Sequence, residues 1–150
     1  MPKKNLKNYK IEEKLKILVH QLFVEMGYHG STLDYSHPSN SYINEVMDDK
    51  EGLPITLSVL FIELANRLEL PVSGLGLPGH FIAMYRDESK NKSREILVDP
   101  FGGKIVSRKE ASQITGLRLS EKDFQPSSKK DIITRMLRNL IQSASTNGDA

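Results

Sequence analysis

The chain has 150 residues, 38% apolar and 27% charged, with a net charge of +2. Those proportions describe a globular domain that can bury about two-thirds of its unfolded surface. No apolar run nears the ~20 residues of a membrane-spanning helix, and the absence of cysteine excludes disulfides, zinc fingers, iron–sulfur clusters and any thiol nucleophile.

Residues 1–10 hold Lys3, Lys4, Lys7 and Lys10 and no acid; the rest carries 17 basic against 19 acidic side chains. The positive balance is therefore a property of the first ten residues, read as a flexible basic tail. With no concentrated basic face elsewhere, no nucleic acid is expected as a partner. Met1-Pro2-Lys3-Lys4 opens polar sequence rather than the apolar stretch of a signal peptide, in line with a cytoplasmic location. Residues 11–142 are expected to form a single domain and 143–150 a disordered tail.

Ile11, Leu15, Leu18, Val19, Leu22, Phe23 and Met26 recur at three- and four-residue steps, which predicts an amphipathic helix over 11–26, with Gly27 as its left-handed stop. A polar loop follows. Ser39 or Asn40 is placed to cap a short helix carrying Ile43, Val46 and Met47. Pro54 then suits a first helical turn. From Ile55 to Leu68 the pattern is apolar nearly all round, the mark of a central, covered helix.

After Pro71 the period changes to strands. Val72–Leu77 contains Gly74 and Gly76, which suggests twist or a bulge. Pro78-Gly79 is a turn, His80–Arg86 a strand, Asp87–Arg94 a polar hairpin loop and Glu95–Val98 the partner strand. Phe101-Gly102-Gly103 leads into a short strand over Lys104–Val106. Ser107 and Glu110 form a capping-box pattern opening a short helix. Residues 117–127 read as loop, and Ser128 caps a last helix with Ile132, Ile133, Met136, Leu137, Leu140 and Ile141 apolar. Helices and strands that segregate in this way indicate an α+β fold.

Two polar residues stand out by position. His80 opens a strand after a Pro-Gly turn, and Asp99 ends the neighbouring strand before Pro100, so an antiparallel hairpin brings them together. A histidine oriented by a carboxylate is the general-base half of a nucleophilic triad; a structural hydrogen bond at a hairpin mouth is the other reading. A nucleophile would belong at the start of the central helix, where amide dipoles favour negative charge. Gly52-Leu53-Pro54-Ile55-Thr56-Leu57-Ser58 offers only the Thr56 and Ser58 hydroxyls there, and both also suit helix-start hydrogen bonding. Asn40, Tyr42 and Asn44 precede the helix and are candidates to line the same cleft. His20, His29, His37 and His80 have no metal-ligand spacing, and Asp34, His37 and Asp48 would meet only by chance of folding, so no metal is expected. Gly74 and Gly76 lack the following helix of a dinucleotide fingerprint, so no cofactor is expected either.

Gly52-Leu53-Pro54, the step from Pro54 to Pro71, His80 and Asp99 together resemble the core of the transglutaminase-like superfamily. More closely, the chain resembles its SirB-type branch in four segments. These are Asn40–Val46, Gly52–Ser58, Leu75–Phe81 and Val98–Phe101; Arg135-Met136-Leu137-Arg138-Asn139-Leu140 closes the match. The resemblance implies a papain-like cysteine-proteinase core, with a buried central helix packed on an antiparallel sheet and flanked by helices. It places Pro54 where the superfamily has its catalytic cysteine, with His80 and Asp99 at the other catalytic positions. Proline offers neither a nucleophile nor an amide donor.

The function this implies is a non-catalytic protein- or peptide-binding or regulatory module, with a helical-repeat region possible in a longer parent chain. The alternative is a hydrolase or acyl-transfer enzyme of altered chemistry, using His80 and Asp99 with Thr56, Ser58 or an activated water.

Overall fold

A computed structural model describes residues 9–33, 37–87 and 94–146. Most of the expected basic tail, Asp34, the hairpin loop over 88–93 and the chain past 146 lie outside the described residues.

Helix α1 (Ile11–His20) runs on into a π-helical turn (Gln21–Glu25), and Gly27 ends it at φ +77°. Leu15, Leu18 and Leu22 on one stripe are buried, as the helical period requires. Strand β1 (His29–Gly30) pairs in parallel with β2 (Glu51–Gly52), a contact too short to leave a sequence signal. Between them lie a 3-10 turn (Pro38–Ser41) and helix α2 (Ile43–Asp49). The capping position of α2 is Tyr42, not Ser39 or Asn40, because both of those belong to the 3-10 turn. Helix α3 (Pro54–Arg67) begins at the expected proline and buries Ile55, Leu57, Leu60, Phe61 and Ala65.

Strands β3 (Val72–Leu77), β4 (His80–Asp87), β5 (Arg94–Asp99) and β6 (Lys104–Val106) form an antiparallel sheet in that order. The β3–β4 register runs without interruption from Val72↔Tyr85 to Leu77↔His80, so the expected bulge is absent. Gly74 and Gly76 serve close approach instead. A β-carbon at Gly74 would stand 2.6 Å from the Phe81 ring, and one at Gly76 would stand 2.9 Å from Arg135 Nη2.

Both faces of the sheet are covered. On one, Val72, Ala83, Tyr85, Ile96 and Val98 meet α1 and α3. On the other, Leu75, Leu77, Ile82, Met84, Leu97 and Val106 meet Ala111 and Phe124. Ala111 lies on helix α4 (Arg108–Thr115), opened by the reciprocal Ser107–Glu110 cap. Phe124 ends a 3-10 turn (Glu121–Phe124) within the stretch expected as loop. Ser128 and Asp131 exchange hydrogen bonds at the start of helix α5 (Lys129–Thr146). That helix runs past the expected domain end at 142, and Ser143 is buried. Its Ile132 and Met136 pack on Leu53, Ile55 and Phe81, which lays α5 across the start of α3 and the β3–β4 hairpin. Among the described residues no helix is long and apolar enough to cross a membrane.

Candidate functional site

At the end of the sheet where β4 begins and β5 stops, His80 Nε2 lies 2.9 Å from Asp99 Oδ1. The two side chains are 10% and 4% exposed. The carboxylate can only accept, so Nε2 carries the shared proton; Nδ1 has no hydrogen bond among the described residues. The ring is also held from the side. Phe101 packs against it edge to face, with ring centres 6.0 Å apart and an 89° interplanar angle. Phe101 in turn lies so close over Gly30 that a β-carbon there would stand 2.5 Å from its ring. This orientation of a histidine by a carboxylate and an aromatic ring is what a general base needs, and equally what a fixed wall of a binding cleft needs.

Pro54, the first residue of α3, lines an open cleft of about 450 Å³ together with His80. The two hydroxyls expected as nucleophiles are not part of it. Thr56 is 1% exposed, accepts from the Leu53 amide at 2.9 Å and donates to the Asn40 carbonyl at 2.7 Å. Ser58 is wholly buried and donates to the Phe81 carbonyl at 3.1 Å. Each hydroxyl proton is committed to a backbone acceptor that burial leaves without water, so both side chains are structural. Thr56 closes the start of α3 and ties it to the 3-10 turn; Ser58 ties α3 to β4.

The binding residues expected before the helix also lie elsewhere. Asn40 is 4% exposed and serves the Thr56 bond through its carbonyl. Tyr42, at the cap of α2, and Asn44 on the helix are exposed, and none of the three lines the cleft.

The opposite wall belongs to α5, through Arg135, Arg138, Asn139 and Gln142. Arg135 donates through Nη1 and Nη2 to the Leu77 carbonyl at 3.3 Å, and through Nη1 to that of His80 at 3.4 Å. Its guanidinium carbon lies 5.5 Å from the Phe81 ring centre. Burial, and after it the charge of Arg138, push the Arg135 guanidinium down from its ordinary pKa, with Asp131 opposing. The signal for this wall was the Arg135–Leu140 motif itself, whose arginines fall three residues apart and so share a helix face. Among the described residues no group of histidine, aspartate and glutamate is placed to hold a metal ion.

A buried helix opening on a cleft, packed on an antiparallel sheet whose β4–β5 hairpin delivers a His–Asp pair to that opening, is the architecture of a transglutaminase-like core. The family model described as transglutaminase-like superfamily matches residues 3–138, and the chain belongs to that superfamily. It is similar to a UPF0162 protein of Xylella fastidiosa (strain 9a5c), 33% identical over 129 residues that cover 79% of this chain and 44% of the relative. A UPF0162 protein of Haemophilus influenzae is 29% identical over 105 residues, 69% of this chain and 37% of its own length. Human F-box only protein 21 is 26% identical over 125 residues, 80% of this chain and 20% of that protein. The chain thus spans less than half the length of the curated relatives named here. No solved structure matches it.

Proposed function

We propose that the chain is a non-catalytic, peptide-binding module of the SirB-type branch, its cleft at Pro54 and His80 receiving a segment of a protein partner. The observation that carries this reading is the pairing of an open cleft of about 450 Å³ with a helix start that has no nucleophile. Pro54 stands where the SirB resemblance puts the superfamily's cysteine, and the nearby hydroxyls of Thr56 and Ser58 are both buried and bonded to carbonyls. A fixed imidazole and the side chains of α5, above a base closed by Pro54, Ile55 and Phe81, give the cleft the mixed lining that peptide sites use. A domain matched within much longer relatives also suits a module that works beside other segments.

The His80–Asp99 bond favours a second reading, in which the imidazole activates water for hydrolysis of an amide or ester. Two measurements on the full chain separate the two. A ¹⁵N-labelled sample is titrated with a random dodecapeptide pool; amide shifts clustered at Gly79, Phe81 and Arg138 support the binding module, and their absence counts against it. The same protein is assayed on p-nitrophenyl acetate and a p-nitroanilide peptide. Turnover that disappears in His80→Ala would establish the hydrolase reading in its place.

A further inference from the structure

The arginines of α5 carry the reading of the cleft further, to the chemistry of its ligand. Arg135 is seated rather than merely present. Gly76 leaves the space in which its guanidinium lies against the β3 backbone, the Leu77 and His80 carbonyls fix it, and the Phe81 ring lies under it. Three of its donor directions are taken by these carbonyls; carbonyls orient a guanidinium without neutralising it. Among the described residues neither Arg135 nor Arg138 is ion-paired to a carboxylate, whereas Arg86, Arg94 and Arg108 all are. The like charge of Arg138 is the second cause, after burial, of the lowered Arg135 pKa, and the opposing charge of Asp131 ranks below it, so two cations share one cleft wall with their repulsion only partly offset.

Resting on the peptide-binding reading above, we propose that the cleft selects a peptide segment bearing an acidic side chain, whose carboxylate is held by Arg135 and Arg138 while its flanking residues run along the cleft past His80 and Asn139. Guanidinium groups match a carboxylate by paired N–H···O bonds, and a preorganised guanidinium loses little freedom on binding. The Asn139 side chain, beside the pair, offers the donor and acceptor that a peptide backbone requires. Two cations on one wall of a short cleft suit a short acidic peptide better than a polyanion, which needs a longer track of phosphate contacts.

The test measures fluorescence anisotropy of rhodamine-labelled, C-terminally amidated dodecapeptide pools on the full chain, at fixed salt. One pool has Asp or Glu fixed at its centre, a second has Asn or Gln there, and a third is the second pool with a free C-terminal carboxylate. The acidic pool should bind roughly tenfold or more tightly than the neutral one, the scale of a charge-assisted pair. Arg138→Gln, on an exposed position of α5 that leaves the hairpin carbonyls untouched, should remove most of that preference. Arg135→Gln should do the same where circular dichroism shows it folded. Lys109→Gln, which removes an equal charge from α4, should leave the preference intact.

Equal binding of acidic and neutral pools by the wild-type chain would overturn the acidic selection and leave the peptide-binding reading standing. Preference for the free C-terminus over the acidic centre would overturn the side-chain assignment, as would tighter binding of a single-stranded oligonucleotide of equal length. Binding of none of the pools would remove the peptide reading and this inference together.

Discussion

Arg86 and Arg108 on one side, and Arg135 and Arg138 on the other, are the same chemical group in opposite company. Arg86 Nη2 lies 2.9 Å from Glu95, and Arg108 reaches Glu95 at 2.8 Å and Glu121 at 2.7 Å. Arg86 also donates to the Phe124 carbonyl at 2.7 Å, and Arg108 lies over the Phe124 ring at 4.2 Å. That cluster joins β4, β5, α4 and the 3-10 turn, and its arginines meet carboxylates. The hydrogen bond from Arg108 first, and then that from Arg86, hold Glu95 below its ordinary pKa against the opposing effect of burial. On α5, Arg135 is fixed by carbonyls and a ring, and neither it nor Arg138 forms an ion pair with a carboxylate among the described residues; Asp131 acts on Arg135 only as the weakest of three influences. Paired charge closes a structure; the positioned charge of α5 is what the proposed acidic ligand would meet.

The largest expected effect on stability comes from breaking the paired cluster. Glu95→Ala strips Arg86 and Arg108 of their shared acceptor and should cost about 1–3 kcal/mol, kept below the buried-pair range because Arg108 is partly in water. Arg138→Ala should stay within ~0.5 kcal/mol, as an exposed helix position without an ion pair does. Urea denaturation of both variants checks the difference. Equal costs would mean that Arg138 is as structural as Glu95, and the contrast would collapse.

The two glycines of β3 sharpen the comparison at the next level. Gly74→Ala meets the buried Phe81 ring and should destabilise by about 1–3 kcal/mol. Gly76→Ala meets the movable end of Arg135. It should cost less than ~1 kcal/mol while displacing the guanidinium, so acidic-peptide preference falls with stability largely kept. A variant that loses stability and retains the preference would place the seat of Arg135 elsewhere.

Chemistry at the cleft has its own probe. Pro54→Cys puts a thiol at the first position of α3, where His80 lines the same cleft. Iodoacetamide should alkylate it faster than a free cysteine at neutral pH, and adding His80→Ala should abolish the advantage. An ordinary rate in Pro54→Cys would mean that the imidazole does not reach the helix start.

The smallest effect is in acid. Because the native pKa of Glu95 is depressed, its contribution to stability is complete above the ordinary carboxylate value of about 4.3 and is lost as pH falls through the lower native value. The urea midpoint of the wild-type chain should therefore decline in that window. The decline should be shallower in Arg108→Gln, which starts from a lower midpoint. A decline of unchanged depth in that variant would assign the acid sensitivity to other carboxylates.

The comparison also separates what was legible in the chain from what was not. The His80–Asp99 pair could be read from the strand pattern, because a Pro-Gly turn and a strand-ending Asp-Pro specify the two ends of one hairpin. The all-round apolar run after Pro54 identified α3 as central. The caps at Ser107 and Ser128 and the stop at Gly27 are local hydrogen-bond and dihedral preferences, and they stood where their residues did. Ser39 and Asn40 misled for a related reason: short polar side chains suit a 3-10 turn as well as a helix cap, and only the packing of that turn decided between them.

What the sequence by itself determined were the features whose causes lie within a few residues: helical period, alternation, turns, caps and the absence of a thiol at the helix start. Tertiary structure decided everything that depends on which surfaces meet. It turned Thr56 and Ser58 from candidate nucleophiles into buried ties. It used Gly74 and Gly76 as clearances for Phe81 and Arg135 rather than as a bulge, and it left Asn40, Tyr42 and Asn44 out of the cleft. By laying α5 across the hairpin it made Arg135 and Arg138 the cleft's second wall. Periodicity can say that two arginines share a helix face, but what that face looks at is set by the packing of residues far apart in the chain.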